Sequence, residues 1–286
     1  MNLYPVEAGN FKLDGGAMFG VVPKTLWSKT NPADANNMID IAARCLLIEN
    51  GDRLTLIDTG MGNKQSEKFF GYYYRWGDHD LDTSLQKIGF HRDDITDVFM
   101  THLHFDHCGG SVQWNKQRTG YEPAFKNATF WSNARHWEWA TKPNRREQAS
   151  FLKENIIPME ESGQLKFVSD TDSDFAEANE LDFGIFFADG HTDKQMIPHI
   201  KYKEKTIVFM ADLLPTAGHI PIPFVMGYDT RPLLTLPEKE KFLTAAADHN
   251  YYLFLEHDAH NPIITVKHTD KGVRMDQVFH CSDIFN

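Results

Sequence analysis

The sequence predicts a layered α/β fold, in which sheets are covered by helices. Short apolar runs recur along the 286-residue chain, and most lack the alternation that one exposed face would produce. Such runs are typical of strands buried on both faces, which need covering layers on each side. Helical patterns lie between them in both halves of the chain, and no linker or fixed-period repeat divides it. We therefore expect one domain over residues 1–286.

The apolar runs give the predicted strands in chain order. They cover residues 41–48, 54–57, 98–100, 183–188, 207–211 and 251–255. The first two runs are separated by a segment that contains Asn50 and Gly51, and an Asn-Gly pair is the strongest short hairpin signal. We therefore expect the first two strands to pair as a hairpin.

Apolar residues at helical spacing predict three helices between these strands. The patterns are Leu81, Leu85 and Ile88; Ala149, Leu152 and Ile156; and Phe242, Leu243 and Ala246 behind a start near Pro237. Proline suits the first turn of a helix, because its missing N–H has no partner there.

Two stretches are dense in aromatic residues, at positions 69–76 and 131–139. One interpretation is that these rings pack insertions onto the core. The other is that some of them line an apolar substrate cleft or a homodimer interface. The sequence leaves both open.

Composition limits the classes of partner. The chain carries 29 Lys+Arg against 40 Asp+Glu, a net charge of −11. This balance argues against a nucleic-acid partner, because phosphate neutralisation needs a basic surface. No apolar run is long enough to span a membrane, and no signal peptide is evident. Cys45, Cys108 and Cys281 are too far apart for a disulfide framework, so a cytoplasmic protein is expected.

A dense group of metal-binding residue types directly follows the predicted strand 98–100. It consists of His102, His104, Asp106 and His107. In an extended segment His102 and His104 project to the same side and can hold one cation together. Asp106 and His107 come after the chain turns, so they face a second point close to the first.

Three later strands also end in residues that bind divalent metals. The strand-end residues are His191 after run 183–188, Asp212 after run 207–211 and His257 after run 251–255. The edge formed by strand carboxyl ends is where α/β folds collect ligands. Five histidines and two aspartates are enough for two metals with an aspartate between them. Imidazole with carboxylate suits Zn, Fe, Mn or Co, and open coordination positions indicate catalysis.

The pattern His-x-His-x-Asp-His, followed by a Gly-His, a strand-end Asp and a late His, resembles the metallo-β-lactamase-fold hydrolase superfamily. The resemblance covers residues 41–258 and implies a four-layer αβ/βα sandwich carrying the aromatic-rich insertions. It also implies two divalent ions, with zinc expected. By this resemblance, one metal is held by His102, His104 and His191, the other by Asp106, His107 and His257, and Asp212 bridges them.

Asp58 lies in the segment Leu56-Ile57-Asp58-Thr59-Gly60, which matches the Asp-x-Gly turn of the superfamily. The resemblance implies that its carboxylate orients a ligand histidine. The alternative is a turn carboxylate that caps backbone amides.

The residues around Asp212 and the Glu256-His257-Asp258 ending resemble the quorum-quenching lactonase branch of the superfamily. That resemblance implies opening of the lactone ring of N-acyl-homoserine lactones. A water shared by the two ions would have a pKa of about 7, and the resulting hydroxide would attack the carbonyl. Asp106 and Asp212 would tune the metals, and an aspartate or the water would protonate the leaving group. The substrate is expected to be a small ester or lactone.

The chain departs from that branch at Pro215, where the best-known lactonases have a tyrosine. The group that polarises the substrate carbonyl is therefore not carried over, and His219 and Tyr228 are candidates for it. Each has the alternative of a purely structural role. The other histidines, among them His136 and His199, are expected to be solvated or satisfied within the core.

Other functions remain open on the same residues. An aryl ester or phosphotriester hydrolase is the nearest alternative, and a thioesterase similar to glyoxalase II is a weaker one. A non-catalytic protein that stores metal or binds a partner is a third. The filled ligand positions argue against the last of these.

Overall fold

The computed structural model describes residues 1–169, 175–178 and 180–285, with the backbone alone for 175–178. The chain forms two compact units, each made of two segments. The first unit contains Met1–Asn10 and Ala43–Asp172, and the second contains Phe11–Ala42 and Ser173–Asn286. Two of the boundaries fall within long strands, one in residues 2–14 and one in residues 38–50.

Strands and helices occur in both halves of the chain, as predicted. In order they are β1 Asn2–Asp14, β2 Met38–Asn50, β3 Arg53–Ile57, β4 Asp97–Phe99, β5 Val112–Trp114, β6 Tyr121–Pro123, β7 Thr129–Asn133, β8 Leu165–Val168, β9 Phe175–Ala178, β10 Phe183–Ala188, β11 Gln195–Tyr202, β12 Lys205–Phe209, β13 Tyr252–Phe254, β14 Ile263–Thr269 and β15 Gly272–Phe279.

Most helices are short, and α8 is much longer than the others. Among the described residues they are α1 Gly15–Phe19, α2 Lys24–Trp27, α3 Glu67–Gly71, α4 Leu81–Lys87, α5 Phe105–Cys108, α6 Ala134–Thr141, α7 Lys153–Glu161, α8 Pro232–Asp248 and α9 Cys281–Ile284. Within the part of the chain that the structure describes, no helix combines the length and apolar character needed to cross a bilayer.

The first unit is built on a sheet with the strand order β1-β2-β3-β4-β7-β8, in which β3, β4, β7 and β8 run parallel. Helices cover this sheet through one buried apolar cluster. The cluster includes Leu56, Val98 and Phe130 from the strands and Leu85, Trp137 and Ile156 from α4, α6 and α7. The separate pair β5-β6 packs near α7.

The second unit is built on a sheet with the strand order β15-β14-β13-β12-β11-β10-β9. Only β12 and β13 pair in parallel among the described pairs of this sheet; the others are antiparallel. Helix α8 packs on it, with the ring of Phe242 5.5 Å from the ring of Phe186. Phe242, Leu243 and Ala246 are all buried, as their spacing predicted.

All six predicted strands are present, as β2, β3, β4, β10, β12 and β13, with ends shifted by a few residues. The predicted hairpin joins β2 and β3 in antiparallel register, with Asn50 opposite Arg53. The two-residue loop therefore begins at Gly51, whose φ of 61° is the positive value that glycine adopts without strain.

Two predicted helix starts were wrong. Helix α8 begins at Pro232, five residues before Pro237. Its first turn carries the exposed side chains of Leu233 and Leu234, so no buried stripe marked the true start. Helix α7 begins only at Lys153, because the preceding residues form a separate turn.

A buried histidine makes the second unit sensitive to acid. His199 on β11 packs 5.6 Å from the ring of Phe242, and burial lowers its pKa to about 4. An unfolded histidine titrates near pH 6.5, so between pH 6.5 and 4 the unfolded chain binds a proton that the folded chain does not. Stability contributed by neutral His199 is therefore lost as pH falls through this window.

Leucine at position 199 cannot bind this proton, so the variant does not lose this stability. We therefore expect the unfolding free energy of His199→Leu minus that of wild type to rise by about 3 kcal/mol when the pH is lowered from 7 to 4. Urea unfolding of both proteins at the two pH values measures this difference. His79→Leu, at an exposed position, is the matched control. A difference between His199→Leu and wild type that does not change with pH would contradict neutral burial of His199.

Candidate metal centre

The predicted ligands of the second unit lie at one edge of its sheet. Strands β10 and β12 are both antiparallel to β11, and β13 is parallel to β12. The three strands therefore run in the same direction. His191, Asp212 and His257 follow their carboxyl ends, which places these side chains together.

Asp212 lies between the two histidines of the second unit. Its Oδ2 atom is 3.1 Å from Nε2 of His191, and its Oδ1 atom is 3.2 Å from Nε2 of His257. Each carboxylate oxygen therefore faces a different imidazole. This is the arrangement that a carboxylate needs if it is to bridge two cations.

In the first unit, His102 and His104 point one ring nitrogen each toward a common point. Nε2 of His102 is 3.1 Å from Nδ1 of His104, and both side chains are buried. Two imidazole nitrogens on one tetrahedral zinc, at about 2.0–2.1 Å, lie roughly 3.3 Å apart. The observed spacing fits that geometry.

Asp106 and His107 form the second pair of the first unit. Their Oδ2 and Nε2 atoms are 3.9 Å apart, and the ring of His107 lies 3.9 Å from the ring of His102. The two pairs are therefore neighbours, as the turn after His104 predicted. Asp106 and His107 lie in the short helix α5, which begins at Phe105 and redirects the chain between the pairs.

Each of the five histidines has its other ring nitrogen engaged by a second group. The partners are Thr101 Oγ1 with His102 Nδ1 at 3.1 Å, Glu147 Oε1 with His104 Nε2 at 3.3 Å, Asp58 Oδ2 with His107 Nδ1 at 3.0 Å, Asp229 Oδ1 with His191 Nδ1 at 2.9 Å, and the Ala42 carbonyl with His257 Nδ1 at 2.8 Å. Such partners fix the tautomer and orientation of metal-ligating histidines. The donor set and its supporting contacts therefore fit a metal centre.

The buried carboxylates beside His191 in the second unit also favour a bound cation. Burial by itself lowers the pKa of His191, but the carboxylates of Asp212 and Asp229 outweigh this and raise it to about 10. A proton on His191 thus balances two buried carboxylates. A divalent ion would supply the same balance.

Asp58 makes contacts of both kinds that the sequence left open. Its Oδ1 atom accepts a hydrogen bond from the backbone N–H of Thr101 at 2.8 Å, and its Oδ2 atom accepts one from the Thr101 hydroxyl at 2.7 Å. The same carboxylate contacts His107, as described above. It therefore ties the turn after β3 to the ligand segment after β4.

We expect Asp58→Asn to weaken metal binding by about 10–100-fold, because the carboxylate that orients His107 is lost. Asparagine tolerates the left-handed backbone of this position, where φ is 57°, so the turn is kept. Competition with a chelating dye measures the affinity. Asp52→Asn in the exposed hairpin loop is the control, and equal affinities for the two variants would argue against the orienting role.

The two candidates for polarising the substrate differ in their surroundings. His219 is buried, with its Nδ1 atom 2.8 Å from the Thr216 hydroxyl and its Nε2 atom 2.9 Å from the Met18 carbonyl. Burial lowers its pKa to about 4, and its ring stacks on Phe19. Both ring nitrogens are thus engaged within the second unit. Tyr228 is 39% exposed, and its predicted role stays a prediction.

Sequence reasoning missed Glu147 and Asp229. Asp229 lies 38 residues after His191, and Glu147 lies 43 residues after His104. No local motif marks either residue. A signal was available only for Asp229, because it belongs to the segment 226–229 that follows Asp212 in the resemblance.

The aromatic stretches have different surroundings. In 131–139, Trp131 and Trp137 are buried in the first unit, which agrees with the packing interpretation. In 69–76, Tyr72 and Tyr74 are more than half exposed, whereas Tyr73 packs 4.9 Å from the ring of Phe105. The stretch 69–76 therefore contacts the segment that carries the predicted ligands.

Comparisons with known proteins show what this chain is similar to. The profile described as the Metallo-beta-lactamase superfamily matches residues 40–257. An N-acyl homoserine lactonase from Bacillus cereus is 28% identical over 137 residues, which cover 43% of this chain and 50% of the relative. The match thus spans about half the length of this curated relative.

Solved structures match over nearly the whole chain. A probable metal-dependent hydrolase from Staphylococcus aureus superimposes with a TM-score of 0.85 at 28% identity, covering 97% of this chain and 95% of the other. AidC, a dizinc quorum-quenching lactonase in complex with a product, gives a TM-score of 0.77 at 24% identity, with the same coverage of both chains. At 24% identity, the similarity to AidC shows the fold alone.

Proposed function

Because this chain belongs to the metallo-β-lactamase superfamily and has its fold, we propose that it is a dinuclear metal-dependent hydrolase that opens N-acyl-homoserine lactones. The observation that carries the proposal is the paired ligand geometry of each unit, in which every ligand histidine is held by a second group. Relatives named as N-acyl homoserine lactonases support the substrate class. The net charge of −11 suits a neutral lactone, which needs no basic patch.

We propose that the two units form a single domain over residues 1–286 and contribute to one centre. In this arrangement one metal is held by His102, His104 and His191, the other by Asp106, His107 and His257, and Asp212 bridges them. Zinc is the proposed metal, supported by the dizinc lactonase of similar fold. A cytoplasmic location and a homodimeric state belong to the same proposal.

When bound, the two ions would activate a water molecule and polarise the substrate carbonyl. The surrounding residues control the ligands and the proton. Asp58, Glu147 and Asp229 keep the outward ring nitrogens occupied, so the inward nitrogens offer lone pairs. Asp106 is the most exposed of the seven ligands, at 9%. We therefore propose that its carboxylate takes the proton of the attacking water and returns it to the leaving oxygen when the ring C–O bond breaks.

Among the two candidates for polarising the substrate, Tyr228 is kept in the proposal because its side chain is exposed. His219 is not, since its contacts with Thr216 and Met18 occupy both ring nitrogens.

A substrate panel tests the proposal. Acyl-homoserine lactones of several chain lengths, an aryl ester and an aryl phosphotriester would be compared by kcat/KM with the zinc-loaded protein. We expect the best lactone to exceed both alternatives by at least about tenfold, or about 1.4 kcal/mol of transition-state binding. A phosphotriester preference would favour the alternative reaction, and no hydrolysis of any lactone would refute the proposal.

A further inference from the structure

Glu147 connects a ligand histidine to the tryptophan-rich stretch. Its side chain is 3% exposed, and its Oε1 atom is 3.3 Å from Nε2 of His104. Its Oε2 atom accepts hydrogen bonds from Nε1 of Trp139 at 2.7 Å and from Nδ2 of Asn144 at 2.6 Å. The carboxylate is thus held by two donors on one oxygen and presents the other oxygen to His104.

This contact determines which nitrogen of His104 carries the proton. A neutral imidazole has one N–H, and an ionised carboxylate can only accept. Glu147 therefore keeps the proton on Nε2 and leaves a lone pair on Nδ1. Nδ1 is the atom that faces Nε2 of His102, 3.1 Å away. The tautomer that Glu147 selects is the one in which His104 can bind a cation together with His102.

We propose that Glu147, held by Trp139 and Asn144, is a positioning residue that selects the tautomer of His104 and so sets the affinity of one of the two metal positions. This inference rests on the proposed dinuclear centre. It gives the stretch 131–139 a role besides packing, because Trp139 donates to the carboxylate that supports a ligand.

The contacts of Glu147 make glutamine an informative substitution. In Glu147→Gln, Trp139 and Asn144 both donate, so they require the amide oxygen at the Oε2 position. The amide NH₂ then lies at the Oε1 position and donates to Nε2 of His104. The proton of His104 moves to Nδ1, the atom that should bind the metal. Glutamine should therefore weaken binding although it has nearly the same shape as glutamate.

Zinc titration of the metal-free protein, in competition with a chelating dye, tests the inference. We expect Glu147→Gln to weaken one of two zinc sites by about 10–100-fold and to leave the other near its wild-type affinity. Glu138→Gln is the matched control, because Glu138 is exposed on α6 and its carboxylate pairs with Lys142 at 3.0 Å on the surface. We expect this control to bind both ions as wild type does.

Two further measurements separate positioning from a general effect on folding. The thermal midpoints of the metal-free wild type and Glu147→Gln should agree. The ¹⁵N spectrum of metal-free protein should show His104 protonated on Nε2 in wild type and on Nδ1 in the variant. An unchanged tautomer would overturn the inference.

A triple variant provides a rescue. In Trp139→Phe/Asn144→Asp/Glu147→Gln, the new carboxylate at position 144 accepts from the amide NH₂, and the competing indole donor is gone. The amide oxygen can then accept from His104, so we expect most of the lost zinc affinity to return. No recovery, or wild-type affinities in Glu147→Gln, would overturn the inference. A wild type that binds fewer than two zinc ions would instead refute the proposed dinuclear centre.

Discussion

Asp212→Ala is expected to lower kcat/KM for lactone opening by at least about 10³-fold. The Asp212 carboxylate faces His191 with one oxygen and His257 with the other, at 3.1 and 3.2 Å. Alanine removes a ligand from both proposed metal positions at once. Metal ions supply several kcal/mol of transition-state stabilisation, and each 1.36 kcal/mol is about tenfold in rate.

Steady-state kinetics on the preferred lactone, together with the zinc content of the purified protein, measure this effect. Asp248→Asn is the control in the same unit, because Asp248 is exposed and pairs with His268 at 2.7 Å on the surface. We expect the control to retain wild-type kinetics and two zinc ions. An Asp212→Ala protein within about tenfold of wild type would show that Asp212 does not bridge metals.

Lys239→Met is expected to have the largest effect on stability. The Lys239 side chain is 1% exposed, and its ammonium group donates to the carbonyls of His219, Pro221 and Phe224 at 3.0, 3.1 and 2.8 Å. Burial lowers its pKa to about 8, so the group is still mostly protonated at pH 7. These bonds hold the loop that follows Asp212.

Methionine has a similar length but no donor, so the carbonyl of the buried His219 and the carbonyls of the part-buried Pro221 and Phe224 lose their partner. An unsatisfied buried group costs about 1–3 kcal/mol, and we expect a total loss of about 3 kcal/mol or more. The thermal midpoint should fall by roughly 6–12 °C. Calorimetry measures the shift, with Lys241→Met at an exposed position of α8 as control. Equal midpoints for the two variants would contradict the structural role of Lys239.

The sequence was most informative where a predicted ligand directly follows the end of a strand. His191, Asp212 and His257 each follow an apolar run, and the direction of the three strands brings their side chains to one edge. The two pairs after β4 also follow the end of a strand. His102 and His104 could be predicted to act together because side chains two residues apart in an extended segment point to the same side.

The supporting contacts were not predictable, because they depend on how distant segments fold. Glu147 reaches His104 from a turn after α6, and Asp229 reaches His191 from the loop before α8. Neither has a local pattern that distinguishes it from the other 38 acidic residues, given 40 Asp+Glu in the chain. The start of α8 was missed for a related reason, since exposed Leu233 and Leu234 gave its first turn no buried stripe.

Anomalous diffraction at the zinc edge, from crystals of the zinc-loaded protein, tests the dinuclear centre most directly. We predict two peaks roughly 3.5–4 Å apart, with Asp212 contacting both. One peak should lie on His102, His104 and His191, and the other on Asp106, His107 and His257. A single peak, or zinc bound away from these residues, would contradict a dinuclear centre.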